Sequence, residues 1–225
     1  MGGNALRAAV LGGNDGLVSN FSLVMGIAGA SSGQSEVLLT GLAGLLAGAL
    51  SMALGEWISV KSSQELFENQ MALEMEELEH NPEGEEKELA LIYMTKGIPE
   101  TQAMQMAKDI ISNKDLAHQV LVKEELGINA EDLKGSAMEA AVTSFFLFAL
   151  GAIIPVVPFF FTGGLTAVLW SAGLVDWFIF NWQFNHFIYG KKYWFSGFRQ
   201  VIFGLIAAAI TFGIGKWIAG FSLAA

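Results

Sequence analysis

Five apolar runs limit what this chain can fold into. They lie near residues 8–31, 37–60, 138–162, 164–189 and 199–221. Each is about 20 residues or more, the length an α-helix needs to cross the hydrocarbon core of a bilayer. A span in lipid must satisfy its own backbone hydrogen bonds, so runs of this kind predict helices. Ser31 to Ser35 turns the first run into the second, Thr162-Gly163-Gly164 turns the third into the fourth, and Lys191 to Arg199 joins the fourth to the fifth. Pro155 and Pro158 fall inside the third run, where neighbouring helices are expected to satisfy the freed carbonyls. The reading is an all-α integral membrane protein: helices 1–2 in residues 1–60, an inserted helical domain in 61–137, and helices 3–5 in 138–225.

The charge is confined to the insert. Residues 61–137 hold 17 Asp and Glu against 7 Lys, which accounts for the whole net charge of −10, while the 5 acidic and 5 basic residues elsewhere cancel. An acidic block disfavours nucleic acid as a partner and favours cations or a solvated surface. The chain has no cysteine, so thiolate metal sites and disulfides are ruled out. Arg7 is the one early positive charge, and the apolar run behind it is too long for a cleaved signal. Arg7, the lysines of the insert, Lys191, Lys192 and Arg199 fall on one side of a five-span arrangement, with Lys216 near the far end of the last run. By the positive-inside rule the N-terminus and residues 61–137 are cytoplasmic. Tyr189, Tyr193 and Trp194 fit an inner aromatic belt and Trp217 an outer one.

Within the insert, Glu74 and Glu77 are three apart, and so are Glu85 and Glu88. That spacing stacks side chains on one helix face, where like charges repel unless a cation lies between them. Asn81-Pro82 divides the two pairs and reads as a helix break, with proline opening the next helix. Leu66, Met71, Leu78, Leu89, Ile92 and Tyr93 recur at helical spacing. A second break stands at Gly97-Ile98-Pro99, a further cap at Asn113, and Gly127 ends the last helix, after which Asn129 caps the helix into the third run. About three helices are expected, the first continuous with the second apolar run. A solvated acidic face is the plain alternative for these glutamates, and Glu124 and Glu125 downstream belong to the same question.

Polar groups inside the apolar runs are the other signal. Asp15 costs about 2.5–3.5 kcal/mol to insert alone, and with Ser19, Ser22 and Gly26 it forms one stripe that is expected to face a cavity or a partner helix. Met52 and Glu56 share a face of the second run. Asp15 and Met52 both lie about 10–12 Å from the inner surface at the helical rise, so antiparallel packing can bring a carboxylate and a thioether to one depth, with Glu56 at the entrance. A hard and a soft donor together suit Fe(II), Co(II) or Mn(II) better than Ca or Mg. Asp176 and His186 in the fourth run are either a proton relay or satisfied polar groups near the inner surface. Glu77-x-x-His80 and Asp115-x-x-His118 also match the carboxylate-x-x-His spacing of di-iron bundles. That opens a rival class, a membrane-anchored di-iron ferroxidase or iron-sensing protein, in which the apolar helices are only an anchor.

Leu11-Gly-Gly-Asn-Asp-Gly-Leu-Val-Ser19, Ser51-Met-Ala-Leu-Gly-Glu-Trp57, Leu150-Gly-Ala-Ile-Ile-Pro-Val-Val-Pro158 and the Gly204-to-Gly215 stretch together resemble, in order, the motifs of the vacuolar iron transporter family. The resemblance implies a homodimeric Fe2+/H+ antiporter that moves iron out of the cytosol, with the ion path between the first two helices at the dimer interface. It implies no enzyme activity and no permanently bound cofactor. Transported Fe2+ is the cargo, with Mn2+, Co2+ and Zn2+ as further candidates. It places the path on Asp15, Met52 and Glu56, with Ser19 as a weaker candidate, and cytoplasmic metal binding on Glu74, Glu77, Glu85, Glu88 and Glu125. Glu124, His80 and His118 are secondary candidates. The plant-type pattern has two methionines where this chain has Leu121 and Val122, which bears on the softness of the cytoplasmic site. The short stretch before the first run suggests a compact prokaryotic-type member in a cell membrane rather than a vacuolar one.

Overall fold

The computed structural model describes residues 3–30, 33–127, 135–185 and 193–222. Every regular element among them is a helix: α1 (Gly3–Gly29), α2 (Gln34–His80), α3 (Pro82–Thr95), α4 (Glu100–Ile111), α5 (Lys114–Glu124), α6 (Ala137–Ile153), α7 (Pro158–Phe161), α8 (Gly164–Asn185) and α9 (Tyr193–Ser222). Asn129, His186, Tyr189, Lys191 and Lys192 lie outside the described residues. The chain forms two compact units, Met1–Trp57 with Met138–Ala225, and Ile58–Ala137, and α2 contributes to both.

In the first unit, α2 and residues 201–221 of α9 are long and apolar enough to cross a membrane, while the apolar stretches Ala137–Ile153 and Gly164–Phe178 are shorter. The third run differs from its expectation as one uninterrupted helix. It stops at Ile153, turns, and restarts as the four-residue α7 with Pro158 at its first turn. Proline lacks the N–H that would continue the ladder and its ring crowds the preceding turn, so the pair ends the helix instead of bending it. The freed carbonyl of Pro155 accepts a 2.8 Å hydrogen bond from Ser171 Oγ of α8.

Glycines set how closely the helices of this unit approach. A Cβ on Gly16 would run into the Phe148 carbonyl of α6, one on Gly151 of α6 into the Gly13 carbonyl, one on Gly29 into the Phe212 carbonyl of α9, and one on Gly215 into the Gly26 carbonyl. On α2, Gly48 makes room for the Phe148 ring and Gly44 for Leu23 and the Asn20 amide oxygen. Small residues that let backbones touch are how helices associate in lipid, where apolar burial gives no net drive. Asn20, 2 % exposed, reinforces this: its Nδ2 donates to Gly41 O of α2 at 3.1 Å and to Ala152 O of α6 at 2.6 Å. Leu17, Phe21, Val24, Val156, Phe159 and Val175 fill the remaining core.

The second unit has one helical piece more than expected: the end of α2, then α3, α4 and α5. The breaks fall where the capping chemistry puts them. Asn81 Oδ1 accepts from Gly84 N at 3.2 Å with Pro82 in the first turn of α3. Gly97 takes φ +87° before Pro99, and Gly127 takes φ +65° beyond α5, conformations that cost glycine little. Asn113 Oδ1 accepts from Leu116 N at 3.2 Å to open α5. Pairs four residues apart (Leu89 and Tyr93, Ala103 and Ala107, Ala117 and Leu121) turn inward and form the core with Leu78 and Ala90.

Candidate metal centre

The apolar stripes of the second unit run directly into a group of carboxylates. Glu74 is one turn before the core residue Leu78, Glu85 one turn before Leu89, and Glu125 one turn after Leu121. Residues four apart share a helix face, so burying the three leucines also draws these glutamates together. One carboxylate oxygen from each lies within 4.8 Å of the others. Glu74 is 2 % exposed and Glu85 6 %, whereas Glu125 is exposed. Glu74 Oε1 and Glu85 Oε2 are buried without a hydrogen-bond partner among the described residues.

Lysines of this unit pair with other acids: Lys96 with Glu124, Lys114 with Glu79 at 2.5 Å, and Lys61 with Glu65 at 3.8 Å. Burial, and then the charges of Glu125, Glu85, Glu77 and Glu88, push the Glu74 carboxyl up to about 7. Burial first, then Glu125, Glu88 and Glu77, raises Glu85. Glu125 is exposed as a residue, but its carboxyl loses part of its hydration against the neighbouring helix ends, and that loss first, then the charges of Glu88 and Glu77, raises it. Glu77 and Glu88 are exposed and act on the centre through their charge. Buried carboxylates without a counter-charge are costly, and a proton or a cation relieves that cost. Oxygen donors on one divalent ion, each about 2.0–2.6 Å from it, lie up to about 4–5 Å apart. The three-carboxylate spacing fits an ion of hard or borderline character.

The secondary candidates are placed elsewhere. Glu124 turns to Lys96 although it adjoins Glu125, because successive helical residues point about 100° apart. His80 is exposed with Nδ1 2.8 Å from its own helix's Glu76 O. His118 sits 2.8 Å from Met71 O through Nε2. Neither histidine joins the carboxylate group found among the described residues. Leu121 is fully buried in the apolar core and Val122 is also buried.

In the first unit, Met52 meets α1: its Sδ would be 3.7 Å from a Cβ on Gly12. Gly12 is one turn before Asp15, but Asp15 and Ser19 lie on the exposed side of α1 within the single chain. Ser19 Oγ donates to Asp15 O at 2.5 Å, and Ser22 Oγ to Val18 O at 2.9 Å. The far end of the stripe, Gly26, packs against Thr211 of α9. Glu56 and Asp176 are half-buried. Sequence reading missed two polar residues of this unit, Asn20 and Ser144, both buried and each with an oxygen lacking a hydrogen-bond partner among the described residues. A neutral side chain in an apolar run raises no alarm; only packing shows that it faces inward.

These features define an all-α protein with long apolar helices and a buried carboxylate centre able to hold a divalent cation. The sequence matches the VIT family over residues 6–216, and the chain belongs to that family. It is similar to the vacuolar iron transporter of Acanthamoeba castellanii, with 35% identity over 222 residues that cover 93% of this chain and 77% of that protein. Vacuolar iron transporter 1 of Arabidopsis thaliana is 32% identical over 217 residues, 95% of this chain and 86% of the relative. Vacuolar iron transporter 1 of Oryza sativa subsp. japonica is 30% identical over 217 residues, 95% and 85% respectively.

Proposed function

We propose that this protein is an integral membrane homodimer that exports Fe2+, and other borderline divalent ions, from the cytosol in exchange for protons. The observation that carries the reading is the convergence of Glu74, Glu85 and Glu125 within 4.8 Å, two of them buried with an orphaned oxygen. The names of the relatives supply the metal. The large exposed apolar residues Leu39, Leu46, Leu50 and Leu54 of α2 and Phe203, Ile210, Trp217 and Phe221 of α9 support a lipid setting. In the proposed topology there are five spans, with the break at Pro155 inside the third and residues 61–137 on the cytoplasmic side.

Glu74, Glu77, Glu85, Glu88 and Glu125 collect the ion, and binding displaces protons that burial and mutual repulsion have held on Glu74, Glu85 and Glu125. Glu56 receives the ion at the mouth of the path. Met52 and Asp15, duplicated across a two-fold axis that would cover the exposed side of α1, pass it on. Asp15 takes a proton from the far side as the metal leaves, because the same oxygens cannot hold both at once. The histidine placements favour no ferroxidase reading, since neither reaches the carboxylate group.

The test is metal-driven pH change in proteoliposomes. Wild type should move Fe2+ with opposite proton movement, and Asp15→Asn should abolish both while still eluting as a folded dimer. Undiminished flux in Asp15→Asn would remove Asp15 from the mechanism, and Fe2+ uptake without any pH change would remove the antiport.

A further inference from the structure

Ser144 of α6 is fully buried, and its Oγ forms no hydrogen bond among the described residues. Other hydroxyls of the same unit are satisfied by carbonyls: Ser22 by Val18 O, Ser171 by Pro155 O, Thr211 by Ala207 O. A buried hydroxyl left unpaired costs stability, so its position matters. Helix α2 runs antiparallel to α6 and the turn that follows it, with Gly41 against Val156 of the turn and Gly48 against the Phe148 ring of α6. One further turn along each brings Met52 level with Ser144. From α1, Gly12 presents no side chain there: a Cβ on it would lie 3.3 Å from Ser144 O and 3.7 Å from Met52 Sδ. Three helices thus meet at one level: the Met52 thioether and the Ser144 carbonyl both flank Gly12, and the residue that contributes that carbonyl also carries the orphaned hydroxyl.

We propose that Ser144 supplies a hydroxyl oxygen to a divalent transition-metal ion at the level of Met52, making α6 the third wall of the ion path. The inference rests on the transport reading above and adds a specificity-determining residue to it. A neutral oxygen beside a neutral sulfur replaces part of an ion's hydration without adding negative charge. Borderline ions accept such a mixed pair, whereas Mg2+ and Ca2+ prefer all-oxygen surroundings. The ion is held loosely enough to leave.

The chain contains no cysteine, so Ser144→Cys carries a single thiol. Co2+ added to the full-length variant in detergent should produce a near-ultraviolet thiolate-to-cobalt charge-transfer band. Wild type should show none, and neither should Ser171→Cys, whose parent hydroxyl already donates to Pro155 O. In proteoliposomes Ser144→Ala should raise the KM for Fe2+ about tenfold, the equivalent of losing one good ligand interaction. Ser144→Cys should raise the Cd2+-to-Mn2+ uptake ratio by a similar factor, a change that a purely structural hydroxyl would not cause. Absence of the band together with unaltered KM and ratio overturns the proposal. A band without metal flux in any protein would keep the site and remove the transport reading, whereas wild-type flux with no band and no change in ratio removes Ser144 alone.

Discussion

Glu74 holds its proton to about 7, far above the usual 4.5, because it is buried among other carboxylates. Below pH 4.5 the group is neutral whether the chain is folded or not. Between 4.5 and 7 the folded unit keeps a proton that the unfolded chain has released, so stability falls as pH rises through this window. Glu85 and Glu125 shift in the same direction. The metal-free protein should therefore show faster hydrogen exchange at the Leu89 and Leu121 amides at pH 8 than at pH 5, after correction for intrinsic rates. Saturating Mn2+ should reverse the trend, and Glu74→Gln should flatten it while weakening Mn2+ binding at least tenfold. An unchanged pH dependence in Glu74→Gln would show that Glu74 is not the titrating group. Much of this centre could be read from residue spacing: the glutamate pairs three apart pointed to two faces with a shared need for a cation. Spacing could not divide the five into three that converge and two that act through charge. Nor could it separate Glu124 from Glu125, because Lys96, 28 residues upstream, decides that.

At the level of helices, the contacts of α1 are made largely by backbone. Gly16→Ala would drive a methyl group into the Phe148 carbonyl, and overpacking of this kind costs about 1–3 kcal/mol. Asn20→Leu would remove two hydrogen bonds that tie α1 to α2 and α6; in membrane interiors such bonds average about 0.6 kcal/mol each. Both variants should lower the unfolding midpoint in detergent, Gly16→Ala by more. The reverse order would mean that the carboxamide, not the close approach, holds the three helices together. The helical periods were legible in the sequence, as were the break at Asn81-Pro82, the cap at Asn113 and the turns at Gly97 and Gly127, while the capping role of Asn81 itself emerged only from the fold. The end of the third run was not. A proline pair in an apolar run is compatible with a bend or a stop, and the choice depends on whether a neighbour such as Ser171 takes up the freed carbonyl.

For the molecule as a whole, the net charge of −10 belongs to residues 61–137 and the remainder is balanced. If this block gathers cations for the path, its attraction is long-ranged at low salt and screened beyond about 8 Å at physiological ionic strength. Raising salt from 20 to 300 mM, on the order of a fourfold shortening of the Debye length, should raise the KM for Fe2+ and leave the maximal rate nearly unchanged. A fall in maximal rate with constant KM would assign the block to gating instead of collection. The close seating of α1 has a further consequence for any transport cycle. Its Gly13 and Gly26 carbonyls abut Gly151 of α6 and Gly215 of α9, and the Phe148 and Phe212 carbonyls abut its Gly16 and Gly29, so spinning the helix about its own axis would bring steric collision on two flanks. In the proposed cycle, alternating the side to which Asp15 opens then falls to whatever lies across from it, with α1 as the stator and its counterpart as the moving part.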